Sequence, residues 1–351
     1  MNNDNKKKVE LPVANPIITS YTGHASLLSV IQNNDESMPW ILGNFIQILM
    51  YTGENSENSS PFFYRQSDFE TCPCIDYQRI GRDIITKKWP NVIEFIIDCI
   101  DMGYYISVNL DQFFIKNSPR YQKEHIPHPT FIYGYDCHQE IFNIADFYNY
   151  GKFTHCKESF SNIKEAFDNY HAIFYFHERR FLGADDIFLF KIREEFDYQF
   201  SVKEIIIFLE DYLNSRNTCR RMPSYDYYHY SDSRFTFGIN IYNVIKNRLE
   251  TSIHLKEFIQ PKYFYIFWDQ KKLMLSRINY LGNHKHLDNT DVLYRDVKEL
   301  EVLTRTLLNL GLKFNLTKDL KIIDRIISAI PILVEKEIKA MELLLRSLQD
   351  R

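Results

Sequence analysis

At 351 residues the chain is longer than an ordinary single domain, so two lobes are expected. Its 45% hydrophobic and 25% charged content is that of a folded globular protein rather than a disordered or membrane-embedded one. A net charge of -4, with no lysine or arginine stripe on any predicted helix, offers no field for phosphate backbones, and nucleic acid is excluded as an expected partner.

Residues 1–16 are polar and proline-punctuated and read as a flexible arm. This opening holds no continuous apolar run of the signal-peptide kind, so a cytoplasmic location is expected. Short helices follow over 25–31 and 41–50, the second ended by Gly53 and the polar 55–60 loop. Pro90 opens another helix that runs to Asp101 and stops at Gly103. The Ile-rich part of that helix is broken by Asp98 and Asp101, and no apolar run elsewhere approaches bilayer length, so no membrane partner is expected.

The period then changes. Segments 104–115, 131–135, 141–146, 152–156, 172–177 and 187–194 are short, aromatic and β-branched, and they read as an antiparallel sheet interrupted by a helix over 161–170. Helices followed by sheet make the first lobe, 17–200, an α+β unit. Ser201 and Glu204 form a capping box that opens a second, mainly helical lobe over 201–351. A long Tyr/Ser/Asp-rich connection occupies 214–234, and helices are expected over 239–250, 262–281 and 291–310, the last stopping at Gly311. Thr317 is the expected cap of a final helix. Its seam is Leu320, Ile323, Ile327, Ile330, Val334, Ile338, Met341 and Leu345, with a kink at Pro331. The seam's spacing drifts between three and four, which favours packing within the chain over a dimeric coiled coil.

Six cysteines in a chain of this size read as reduced thiols rather than a disulfide framework. Cys72-Pro73-Cys74 could begin a metal site, but no second Cys/His pair recurs at zinc spacing and His171 and His177 lie six apart, so no metal is expected.

The residues with chemical potential are His128 and Asp146. His128 is stiffened by Pro127 and Pro129 and leads into a strand; Asp146 closes the next strand, with a polar turn between them. If that hairpin is symmetric about Cys137, His128 and Asp146 stand directly opposite, with Cβ atoms about 5 Å apart. A carboxylate there fixes the imidazole tautomer. Such a histidine calls for a nucleophile at a helix N-terminus, and the best-placed segment is Tyr21 to Leu28. Cys137 at the turn tip and Cys99 in the core are badly placed for that role.

Three stretches carry a resemblance: residues 21–28 (YTGHASLL), the His-strand-turn-strand-Asp unit of 128–146, and residues 264–278 (FYIFWDQKKLMLSRI). Together they resemble the family of butirosin biosynthesis protein H. The resemblance implies a papain-like N-terminal lobe, related to the peptidases that cut double-glycine leaders. It also implies a Cys-His-Asp triad that moves an acyl group from a carrier-protein thioester to an amine or diamine without ATP. No cofactor of the chain's own is implied, because phosphopantetheine arrives on the acyl or peptidyl carrier protein. His128 and Asp146 match the triad, whereas the nucleophile position holds Ala25. Alanine cannot attack a thioester, so the chain is either a Cys-to-Ala form of an active enzyme, the reading favoured because the rest of the constellation is intact, or a pseudoenzyme.

Papain-like enzymes also place a glutamine just before the nucleophile, and residues 15–24 contain none. The residue-25 amide, with Tyr21, Thr22 or His24, is the expected replacement as oxyanion donor. In the long connection Tyr225, Tyr227, Tyr228 and Tyr230, with Asp226 and Asp232, could line a pocket for a phenolic acyl chain and a cationic amine, or form a plain surface loop. Lys271 and Lys272 read either as a solvated helix face or as a dock for an acidic carrier protein. Two other functions stay open: a cysteine peptidase or thioester hydrolase, and a non-catalytic module that holds a carrier protein.

Overall fold

A computed structural model describes residues 7–57, 59–64, 69–149, 151–170, 186–218, 234–252 and 258–350. In chain order its elements begin β1 (Lys8–Glu10), α1 (Thr22–Ile31), α2 (Met38–Gly43), β2 (Ile48–Tyr51), β3 (Phe62–Phe63), β4 (Ile75–Gly81), α3 (Arg82–Lys88) and α4 (Val92–Asp101). Next come β5 (Tyr105–Asp111), β6 (Pro127–Asp136), β7 (Ile141–Asn149), β8 (Lys152–Ser159), α5 (Phe160–Asp168) and β9 (Asp186–Ile192). The remainder is α6 (Val202–Leu213), β10 (Phe235–Phe237), α7 (Ile241–Ser252), α8 (Lys262–Asn283), α9 (Thr290–Thr317) and α10 (Leu320–Gln349). The fold is α+β. It divides into two compact units, one of Met1–Ser37 with Asp68–Asp197, the other of Met38–Ser67 with Tyr198–Arg351. Residues 38–67, which the sequence assigns to the first lobe, therefore belong with the C-terminal helices.

The first unit is built on a seven-stranded antiparallel sheet in the order β4-β9-β5-β6-β7-β8, with β1 also pairing β6. Ile106, Ile132, Phe142 and Ile144 of the sheet pack with Phe95, Ile96 and Cys99 of α4 and Ile163 of α5 in one apolar cluster. Asn91 starts α4, its side chain accepting from the amides of Ile93 and Glu94 at 2.9 and 3.1 Å, and Gly103 at φ 82 ends it. Tyr105, Phe131 and Phe190 stack on one another across neighbouring strands.

Two parts of this unit depart from the sequence reading. The expected arm is partly a strand: Lys8, Val9 and Glu10 pair with Asp136, Tyr135 and Gly134. Gly134 permits this approach, since a Cβ there would lie 2.8 Å from the Val9 carbonyl oxygen. Strand β4 was missed because Asp76, Gln78 and Arg79 give it no apolar period, its pairing with β9 alone setting its place at the sheet edge. The expected strand over 172–177 lies outside the described residues.

In the second unit the expected 41–50 helix ends at Gly43. Phe45 takes φ 57, which an α-helix does not accept, and Ile48–Tyr51 becomes the middle strand of a three-stranded sheet between β10 and β3. The region after residue 201 is therefore not purely helical. Ser201 caps α6 as expected, accepting from the Glu204 amide at 3.2 Å.

Helix α9 runs through Gly311 to Thr317 instead of stopping. Asp319, not Thr317, caps α10, accepting from the Lys321 amide at 3.0 Å. The buried face of α10 is Ile322, Ile323, Ile326, Ile330, Leu333, Glu337, Ala340, Met341, Leu344 and Leu348, so Ile323, Ile330 and Met341 of the expected seam are buried while Leu320, Ile327, Val334, Ile338 and Leu345 are only half-buried. A buried glutamate inside the stripe breaks the apolar pattern from which the seam was read. The helix continues through Pro331.

Candidate active site

The β6–β7 hairpin sets the site. Asp136 holds its turn, its carboxylate accepting from the amides of His138 and Gln139 at 3.0 Å each. The pairing is not symmetric about Cys137: Asp136 faces Ile141, Tyr135 faces Phe142 and Gly134 faces Asn143. A bulge between Ile132 and Gly134 then shifts the register, so that Ile132 faces Ile144 and Phe131 faces Ala145. Without the extra residue His128 and Asp146 would fall on opposite faces of the sheet, because one step of register exchanges the faces. With it, continuation of the pairing sets Asp146 beside Thr130, two residues from His128 and on the same face.

The expected opposition is thus a diagonal, and the side chains still meet. His128 Nδ1 lies 2.7 Å from Asp146 Oδ2. The carboxylate is buried, with 3% of its side chain exposed, while the imidazole keeps 33% exposed. Asp146 has two more donors: the Thr22 hydroxyl gives to Oδ1 at 3.0 Å and the Gln112 side-chain amide gives to Oδ2 at 3.4 Å. With Nδ1–H directed at the carboxylate, Nε2 is the nitrogen left to exchange a proton.

Thr22 is the first residue of α1, so the dyad is tied to the amino end of that helix. Ala25, three residues on, shares the helix face of Thr22 and is fully buried. Its amide donates to the Tyr21 carbonyl at 2.9 Å. The amide expected as oxyanion donor is thus engaged within the helix: residue 25 stands a full turn inside it, where backbone donors are already bonded. Burial raises the Tyr21 phenol above its usual range, and the ring meets His24 edge-on at 6.1 Å. Among the expected site residues, Thr22, His128 and Asp146 come together through hydrogen bonds. Tyr228 and Tyr230, with the other tyrosines and acids of that connection, lie outside the described residues.

The sequence reading missed Gln112 and a second pair. His125 Nδ1 lies 2.7 Å from Asp111 Oδ2, and its ring stacks on Phe113 at 4.1 Å with 64% of the side chain exposed. The available signal was an Asp-Gln pair ending strand β5, whose register sets Leu110 opposite His128 and Asp111 opposite Pro127. Cys99 is buried in the core, and burial with the nearby Asp98 pushes its thiol up to about 12.

Of the pair read as a solvated helix face or a dock, Lys271 is buried and Lys272 is only a quarter exposed. Lys271 is buried against Glu337 at 2.5 Å, and Lys272 bonds Asp269 at 2.7 Å while lying over the Trp268 ring. Among the described residues no cluster of three or more His, Cys, Asp or Glu could hold a metal ion, and no helix is long and apolar enough to cross a membrane. Comparison with protein-family models and with curated proteins finds no match to this chain.

Proposed function

We propose that the first unit is a papain-like acyl-transfer lobe of the butirosin biosynthesis protein H kind, lacking its nucleophile in the present sequence. The observation that carries this reading is the His128–Asp146 pair at 2.7 Å, with Asp146 also held by Thr22 at the start of α1. A cysteine at position 25 would share that helix face. Its thiolate would attack the carbonyl of a carrier-bound phosphopantetheinyl thioester, forming an acyl-enzyme and expelling the carrier thiol. An amine would then attack the acyl carbon, lose a proton to His128 Nε2 and leave as an amide, with the cysteine thiol regenerated. Since the residue-25 amide is bonded within the helix, the oxyanion would fall to the earlier amides of the first turn. The dyad sits in protein interior on its carboxylate side alone, which leaves the imidazole open to substrate.

Ala25 itself supports a second reading, a module that binds a carrier protein or acyl chain without turnover. One experiment separates the readings. Ala25→Cys is incubated with an acyl-pantetheine thioester and a diamine, and products and intact protein mass are followed. Amide product with a transient acyl adduct on residue 25 is the expected result. Free acid alone would replace transfer by hydrolysis, and no adduct at all would leave only the binding module.

A further inference from the structure

The second unit holds a cavity of about 270 Å³ walled by α7, the start of α8, α10 and the segment that joins β2 to β3. Leu249, Ile259 and Ile323 form its buried apolar side, and Phe258 stands exposed beside them. Arg248 of α7 and Glu57 of the β2–β3 segment also line it. Arg248 is half-buried and bonds only neutral acceptors: Nη1 donates to the Ser59 carbonyl at 2.9 Å and to the Tyr263 hydroxyl at 3.5 Å, and Nη2 donates to Ser56 Oγ at 3.1 Å. Nε–H and one Nη2–H of its five donors are left uncommitted. Glu57 is exposed, and only its backbone carbonyl is engaged, accepting from the Tyr263 hydroxyl at 3.3 Å. Among the described residues neither the Arg248 guanidinium nor the Glu57 carboxylate has an ion-pair partner, although the two line one cavity.

We propose that this cavity binds a free α-amino acid with an aliphatic side chain of about leucine's size. The ligand carboxylate takes the uncommitted edge of Arg248 through two parallel hydrogen bonds, the geometry that the rigid guanidinium fork matches. The ligand ammonium is drawn to Glu57, and its side chain meets Leu249, Ile259 and Ile323. Each feature narrows the class. A guanidinium partly withdrawn from water without a counter-charge favours an anion. The carboxylate of Glu57 in the same cavity repels a dianion such as a phosphate ester and calls for a positive group on the same ligand. The volume lies below the roughly 300–1,000 Å³ of pockets that hold drug-sized molecules, which excludes a nucleotide or a long acyl chain. Ser56, Ser59 and Tyr263 hold the rest of the guanidinium, so its orientation is fixed before a ligand arrives. The site is built from residues of the second unit alone and does not depend on the acyl-transfer reading of the first.

The test is isothermal titration calorimetry on the native full-length chain. L-Leucine should bind at a single site. Three lesser probes each remove one feature: 4-methylpentanoate lacks the amine, isoamylamine lacks the carboxylate and glycine lacks the side chain. Each should bind at least about tenfold more weakly than L-leucine. Glu57→Gln should weaken L-leucine about tenfold without weakening 4-methylpentanoate. The melting temperature of the free protein should stay unchanged in that variant, because the Glu57 side chain holds nothing else in place. Arg248→Lys, which keeps the charge and loses the fork, should weaken both L-leucine and 4-methylpentanoate. Failure of L-leucine to bind the native chain, equal affinity for any of the lesser probes, or undiminished L-leucine affinity in Glu57→Gln would overturn the proposal.

Discussion

Each unit of this protein buries a carboxylate against a nitrogen base, and the two do so to opposite ends. In the first unit Asp146 is sealed and His128 is left one-third exposed. In the second, Glu337 and Lys271 are both sealed, at 0% and 1% exposed. Glu337 also accepts from Tyr212 at 2.5 Å and Tyr242 at 3.0 Å, and Lys271 gives its remaining reach to Gln270 at 2.6 Å. Burial pulls the Lys271 ammonium below its usual range, opposed by the carboxylate beside it. That network joins α6, α7, α8 and α10, and every member is satisfied, so it specifies packing. The His128–Asp146 pair leaves one ring nitrogen available, so it can exchange a proton. The difference is one of access rather than of residue type.

The comparison breaks if the effects of mutation cross over. The largest effect expected is on transfer: in the Ala25→Cys background, Asp146→Asn should lower the rate by about 10⁴-fold by leaving the wrong imidazole tautomer, measured as amide formed per enzyme under saturating thioester. Its unfolding free energy should change less than that of the Glu337 variant below, and a fold defect with full activity would invert the assignment. Next in size, Glu337→Ala strands a buried ammonium and two hydroxyls and should cost about 3–5 kcal/mol in urea unfolding. Replacing Lys271 by Met in the same chain should recover much of that loss; a single-variant cost below about 1 kcal/mol would show the network to be incidental. Smallest is Gly134→Ala, which drives a methyl against the Val9 carbonyl and should cost about 1–3 kcal/mol. Hydrogen exchange at residues 8–10 should quicken in that variant, and unchanged protection there would show that β1 does not depend on the glycine.

Local signals made much of the architecture legible. Periodicity located β5 to β8, α4 and α8, and the Ser201–Glu204 box located the start of α6, since capping and amphipathic spacing are properties of consecutive residues. The same logic failed where a partner elsewhere in the chain decides. Lys8–Glu10 is a strand because β6 presents Gly134 to it, and Ile48–Tyr51 is a strand because Phe45 leaves the helix and β10 lies alongside. Lys271 looked like surface because nothing near it in sequence announces Glu337, 66 residues away.

The amino-acid sequence by itself determined the α+β class, the identity of the histidine and aspartate, and the absence of a thiol at position 25, since these depend on residue type and short-range order. Only the tertiary structure decided how His128 and Asp146 meet. One bulged residue at Tyr133 restores the parity that puts both on one face, and Thr22 and Gln112 arrive from α1 and the end of β5 to hold the carboxylate. A bulge is set by pairing with the neighbouring strand and by what packs over it, and no count along a single strand contains that information.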